Sequence, residues 1–243
     1  DVEDWPWPVC VRVLGPFELL VNGAPPAFSR KMPKKPLALL GAIIAFGGTG
    51  VPEQRVLDAL WPDDEGDAAH RSLTTTVRRL RDILGQKETV RHAGGKVYLD
   101  PDRCWVDAWS FEQALEGGAA AVDVARAIEL YRGGFLDKEE DARWAVPMRE
   151  RLRGKFIQAV VTAAGAYEQD GRYDEAIRCY LRGVDADNLV ETFYQGLMRC
   201  YDRLQRRTEA VSTYRRLRQV LSVTLGVAPS AVTEQLYQSL RAN

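Results

Sequence analysis

Between Ala68 and Gly85 the chain reads AAHRSLTTTVRRLRDILG. At about 100° of turn per residue, Leu73, Val77, Leu80 and Leu84 fall in one stripe, which reads as the buried side of a helix. Arg71, Thr75, Arg78 and Asp82 lie opposite, with Ser72 and Arg79 on one flank and Thr74 on the other. A face selected only for solubility mixes glutamate with lysine, and threonine lowers helix propensity through its branched side chain. Forked guanidinium donors and compact hydroxyls are what base edges and phosphates accept. Taken alone, the stretch divides evenly between a solvated basic face and a face that reads nucleic acid.

Its surroundings tip that balance. Between Ala68 and Leu99 there are seven basic residues (Arg71, Arg78, Arg79, Arg81, Lys87, Arg91 and Lys96) against two acids, Asp82 and Glu88. The whole chain of 243 residues is almost neutral, with 33 Lys and Arg against 34 Asp and Glu, so global charge is uninformative. A local basic excess of this kind is the footprint of phosphate contacts.

Upstream, apolar residues alternate from Val9 to Val21 and Asn22-Gly23 follows, which reads as short antiparallel strands and a tight turn. Pro36 to Phe46 is a densely apolar helix closed by Gly47-Gly48, with a basic entry formed by Arg30, Lys31, Lys34 and Lys35. Val51 to Trp61 reads as a second helix with Pro52 in its first turn, and Asp67 is placed to cap the third. Downstream, Thr89 to Asp100 forms two strand-like runs around Gly94-Gly95, a hairpin carrying Arg91, His92 and Lys96. For His92 an exposed turn position is expected rather than a base contact. The order is strands, three helices and a hairpin, ending near Trp105.

From Trp109 onward helical periodicity takes over, and the chain aligns with itself. Tyr167 and Tyr201, Glu175 and Glu209, Ala176 and Ala210, and Tyr180 and Tyr214 are each 34 residues apart. A 34-residue period with a small residue at the helix crossing and an aromatic four positions later is the tetratricopeptide signature. Ala125 to Tyr131 has the same local spacing outside that register and reads as an atypical earlier helix pair.

Catalytic and metal chemistry find little support. Gly47-Gly48-Thr49-Gly50 lacks the ending of a phosphate-binding loop, and Asp137-Lys138-Glu139-Glu140-Asp141 lacks the spacing of a calcium loop. The four cysteines, Cys10, Cys104, Cys179 and Cys200, are scattered, and the two histidines, His70 and His92, are too few for a zinc site or a catalytic set. No metal, no cofactor and no enzymatic activity are expected. No apolar run is long enough for a membrane span, so a soluble intracellular chain is expected, and its Asp1-Val2-Glu3 start reads as that of an excised fragment.

The stretches Arg30 to Leu37, Leu60-Trp61-Pro62-Asp63 and Arg71-Ser72-Leu73 through Arg81 resemble the winged-helix DNA-binding domain of bacterial SARP/AfsR-type activators. Leu130-Tyr131-Arg132-Gly133-Gly134-Phe135-Leu136, the 34-residue repeats, and Leu217 through Leu225-Gly226-Val227-Ala228-Pro229-Ser230 resemble the bacterial transcriptional activator domain that follows it. The Lys31-to-Pro36 entry and Gly47-to-Pro52 look more like versions found in large MalT-like regulators that carry an ATPase upstream. The resemblance implies a mainly α fold with two domains. Residues 9–106 would be an OmpR/PhoB-like winged helix, with a small antiparallel sheet, three helices and a wing hairpin. Residues 107–243 would be an all-α tetratricopeptide-like domain.

Residues 68–84 then become the recognition helix in the major groove of double-stranded DNA. Arg71, Thr75 and Arg78 are assigned to base edges; Ser72, Thr74, Arg79, Lys34 and Lys35 to phosphates; Arg91 and Lys96 to the wing near the minor groove. The helical half is left for RNA polymerase, homodimer or intramolecular contacts. Two alternatives stay open: a protein-interaction scaffold whose basic helix docks a protein partner, and a ligand-sensing module using the concave face of the repeats.

Overall fold

Strand β1 (Val9–Arg12) pairs antiparallel with β2 (Glu18–Val21) in the register Val9↔Val21 to Arg12↔Glu18. Asn22-Gly23, both at positive φ (49° and 78°), turns Val21 back onto Ala24. The computed structural model describes residues 7–27, 33–64, 66–116, 121–139 and 141–242. Compactness divides the chain into two units, Asp1–Ser110 with Phe135–Arg151, and Phe111–Gly134 with Leu152–Asn243.

A third strand, β6 (Cys104–Val106), lies on the other edge of β1 and runs parallel to it, giving the order β2-β1-β6. The sequence pattern predicts no strand at this point. Three residues are too few for alternation to register, and only the pairing with β1 defines them. Immediately after β6, Asp107 opens α4 (Asp107–Ala114). Its carboxylate, 1% exposed, accepts the N–H groups of Val13 (2.9 Å), Leu14 (3.0 Å) and Ala108 (2.8 Å). One buried carboxylate thus ends β1, caps α4 and joins the two.

Three helices follow the first hairpin: α1 (Lys34–Ala45), α2 (Glu53–Leu60) and α3 (Gly66–Leu84). The α1 helix is apolar on most sides, and Leu39, Leu40, Ile43 and Ile44 are fully buried. Each such side chain contributes about 1.5–3 kcal/mol on burial. Val51-Pro52 is not the start of α2 but a strand, β3, because Val51 pairs with Val97 and Pro52 holds extended backbone. It completes a sheet β3-β5-β4 with the hairpin β4 (Val90–Ala93) and β5 (Lys96–Leu99). Asp67 sits inside the first turn of α3 instead of ahead of it.

Phe135–Arg151 counts with this first unit. Phe135 bridges Leu14, Leu136 donates its N–H to the Val13 carbonyl at 2.8 Å, and Arg149 donates to the carbonyls of Phe135, Leu136 and Glu139 at 2.7–2.8 Å. Gly41 of α1 lies beneath this segment. A Cβ there would meet Leu136 Cδ1 at 2.8 Å and the Trp144 ring at 3.1 Å, so any larger residue would have to displace the end of the Leu136 side chain.

The second unit is helical: α5 (Ala121–Leu130), the body of α6 (Val146–Gln169), α7 (Tyr173–Ala186), α8 (Glu191–Arg203), α9 (Arg207–Leu225) and α10 (Ala231–Ala242). The 34-residue period survives in three dimensions. Arg172 lies over the Tyr167 ring and pairs with Glu175, and Arg206 lies over Tyr201 and pairs with Glu209. An aromatic column forms part of the core, with Tyr131 stacked on Phe156 at 4.1 Å and Phe156 edge-on to Phe193 at 6.1 Å. Among the described residues no helix is long and apolar enough to cross a membrane.

Candidate nucleic-acid interface

Leu73, Leu80 and Leu84 of α3 are fully buried and Val77 is 2% exposed, which leaves Arg71, Thr74, Thr75, Arg78 and Arg79 exposed on the other side. Arg71, Arg78 and Arg79 have no hydrogen bond or ion pair among the described residues. The threonines divide. Thr76 turns inward and donates to the Ser72 carbonyl at 2.7 Å, while Thr74 and Thr75 are exposed. Ser72 is half-buried, and its hydroxyl donates to Asp64 at 3.3 Å, so it sits at the margin of the exposed face.

Two basic residues near this face have structural partners. Arg81 donates through Nε to the Val90 carbonyl at 2.7 Å, holding the start of β4 against α3. Lys35 donates to the Leu60 carbonyl at 2.6 Å and lies 5.3 Å over the Trp61 ring, so its ammonium caps the C-terminal end of α2. Lys34 is exposed, while Arg30 and Lys31 lie outside the described residues.

The β4–β5 hairpin turns on Gly94 and Gly95, both at positive φ (59° and 68°), as a two-residue turn of its handedness requires. Arg91 and Lys96 flank it, both exposed, and Arg91 lies 5.5 Å over the Tyr98 ring. His92 is not the exposed turn residue that the sequence pattern predicts, since it lies within β4. His92 is half-buried, and its Nε2 lies 2.6 Å from Glu53, whose other oxygen is 3.5 Å from His70 of α3. The Glu53 N–H also donates to the Gly95 carbonyl at 2.9 Å. One residue at the start of α2 therefore ties hairpin and helix together, and the arginine face and the basic hairpin have a set spacing. Sequence reasoning missed Glu53 because its two histidine partners are 17 and 39 positions away and nothing local marks them.

The arrangement suits a polyanion: guanidinium groups without partners among the described residues and exposed threonines on one helix face, with a basic hairpin beside it. Residues 106–241 match the family model for the bacterial transcriptional activator domain. The chain is similar to the regulatory protein AfsR of Streptomyces griseus, at 29% identity over 94% of this chain and 24% of that one. It is also similar to the regulatory protein DnrI of Streptomyces peucetius, at 26% identity over 95% of this chain and 91% of that one. It thus spans about a quarter of AfsR and most of DnrI. Among solved structures, Mycobacterium tuberculosis EmbR in complex with a low-affinity phosphopeptide shares the fold, with a TM-score of 0.62, 21% identity, and coverage of 97% of this chain and 65% of that one. The family model covers more than half of the sequence, and the chain belongs to the bacterial transcriptional activator domain family of SARP-type regulators.

Proposed function

We propose that the chain is the DNA-binding and partner-contacting part of a transcriptional activator, with α3 in the major groove and the β4–β5 hairpin as a wing. The observation that carries this reading is the set of three exposed arginines on α3, without partners among the described residues and set among exposed threonines. Arg71, Thr75 and Arg78 read base edges. Thr74, Arg79 and Lys34 hold phosphates, with Ser72 and Lys35 at the margin, and Arg91 and Lys96 act from the wing. A bidentate arginine–guanine pair supplies about 1–3 kcal/mol of base discrimination. The names of AfsR and DnrI as regulatory proteins support the same reading.

In this reading the chain carries no catalysis of its own, and the helical unit takes protein contacts with RNA polymerase or a second copy. Exposed apolar side chains near the end of the repeats, Val223 at 80% and Val232 at 63%, support a protein partner there. Selection of sites from a random duplex pool, followed by gel-shift titration at two salt concentrations, tests the DNA reading. Enrichment of a common site is the expected result. Absence of duplex binding at low salt would leave the scaffold alternative in its place.

A further inference from the structure

The α9 helix repeats the pattern of α3. Thr75-Thr76-Val77-Arg78-Arg79-Leu80-Arg81 in α3 corresponds to Ser212-Thr213-Tyr214-Arg215-Arg216-Leu217-Arg218 in α9. The burial pattern follows the sequence: Leu80 and Leu217 are both fully buried, Val77 and Tyr214 are both buried, and the paired arginines are exposed in both helices. The inward threonines match as well. Thr76 donates to the carbonyl four residues back at 2.7 Å, and Thr213 does the same at 2.8 Å.

Elsewhere in the repeats arginines are matched with carboxylates, as in Arg153 with Asp187, Arg182 with Glu129 and Arg199 with Glu168. Arg215, Arg216 and Arg218 differ: all are exposed, with no hydrogen bond or ion pair among the described residues. Between Ala210 and Leu225 the helix holds no acid at all. Ser212, Arg215, Arg216, Arg218 and Gln219, all exposed, fall within about 160° of arc, so charge and hydroxyl donors share one broad side of the helix.

We propose that this face of α9 is a second DNA-contacting surface, which holds the phosphate backbone of duplex DNA without reading its bases. The α9 helix packs against both α8 and α10. Exposed guanidinium and hydroxyl donors hold phosphate oxygens without carrying sequence information. The inference rests on the proposed DNA-binding function and adds to it a sequence-independent anchor outside the first unit.

The test uses the full chain with Arg215, Arg216 and Arg218 all changed to Gln, alongside a version with all three changed to Lys. Exposed side chains without partners leave folding intact, which thermal melting checks, and Arg216→Gln alone reads a fraction of the effect. Each lost phosphate contact lowers the slope of log affinity against log salt by about 0.9. Raising salt from about 50 to about 200 mM should therefore cost the Gln variant about 40-fold less affinity than the unsubstituted chain. The loss should be equal for all sequences, preference between sites should be unchanged, and the Lys version should restore the slope. An unchanged slope in the Gln variant, while Arg78→Ala still alters site preference, overturns the inference and leaves the function standing. Loss of binding to a polyglutamate peptide with that slope unchanged also overturns it, by making α9 a dock for acidic protein. If the unsubstituted chain binds no duplex, both fall.

Discussion

Gly171 and Gln205, 34 positions apart, occupy the same left-handed backbone conformation, with φ of +71° and +59°. Each follows a helix end and is succeeded by an arginine whose N–H donates to the carbonyl of the repeat tyrosine at 2.8 Å, Arg172 to Tyr167 and Arg206 to Tyr201. Such a terminus favours glycine, because a Cβ in the left-handed region costs about 1–2 kcal/mol. Glutamine at 205 carries that strain. Gln205→Gly is expected to stabilise the helical unit by about 0.5–1 kcal/mol, the relief being partly offset by the greater freedom of glycine in the unfolded chain. Denaturant unfolding measures it, and a destabilised variant would contradict the assignment.

Thr89 and Asp107 are both buried polar residues with opposite expectations. The Thr89 hydroxyl has no hydrogen-bond partner among the described residues and the residue is fully buried, so Thr89→Val removes an unsatisfied group at almost constant volume. Stability should be unchanged or rise by about 1 kcal/mol. Asp107→Ala instead strands the N–H groups of Val13 and Leu14 in the interior, and a loss of at least about 3 kcal/mol is expected. Equilibrium melts of the two variants side by side separate these outcomes.

Alkaline conditions should unfold the protein early. Burial pushes the Cys179 thiol up to about 11 and Cys200 up to about 12. Burial and a hydrogen bond to Glu234 push the Tyr214 hydroxyl up to about 12. These acids hold their protons more tightly folded than unfolded, so their contribution is fully present below the unfolded thiol range near 8.5 and is lost as pH rises above it. Melting temperature should be flat from about pH 7 to 8 and fall beyond about pH 9. Thiol labelling at pH 8 should be slow in the native chain and rapid in denaturant. Equal labelling rates in the two states would contradict the burial of Cys10, Cys104 and Cys200 and the partial burial of Cys179.

The legible parts of this chain are those whose signal is local and periodic. The Leu73, Val77, Leu80, Leu84 stripe fixes which side of α3 faces out, and the Tyr167-to-Tyr201 offset fixes the repeat. Strands β3 and β6, two and three residues long, are defined by partners more than forty positions away and leave no period to read. The same limit applies to the site. Arg78, Arg79 and Arg81 are chemically identical in the sequence, and only the position of the Val90 carbonyl removes Arg81 from the exposed set.

Lys34 and Lys35 provide the sharpest contrast between reading the sequence and reading the structure. Adjacent in α1, both are exposed and both are expected at phosphates, yet Lys35 caps the last turn of α2 through the Leu60 carbonyl and lies against Trp61, while Lys34 has no hydrogen bond or ion pair among the described residues. Lys34→Ala should weaken binding to every duplex alike and flatten the salt slope by about 0.9, with stability unchanged. Lys35→Ala should lower stability by about 1 kcal/mol, since it leaves a helix-terminal carbonyl without its charged donor. Any effect of Lys35→Ala on DNA affinity should then be partly indirect, through the placement of α2 and hence of Glu53, His70 and the hairpin. Arg78→Ala is the complement, expected to relax sequence preference by about 1–3 kcal/mol with no loss of stability. If Lys34 and Lys35 substitutions alter melting temperature equally, the capping role of Lys35 is wrong, and the two lysines return to a single class.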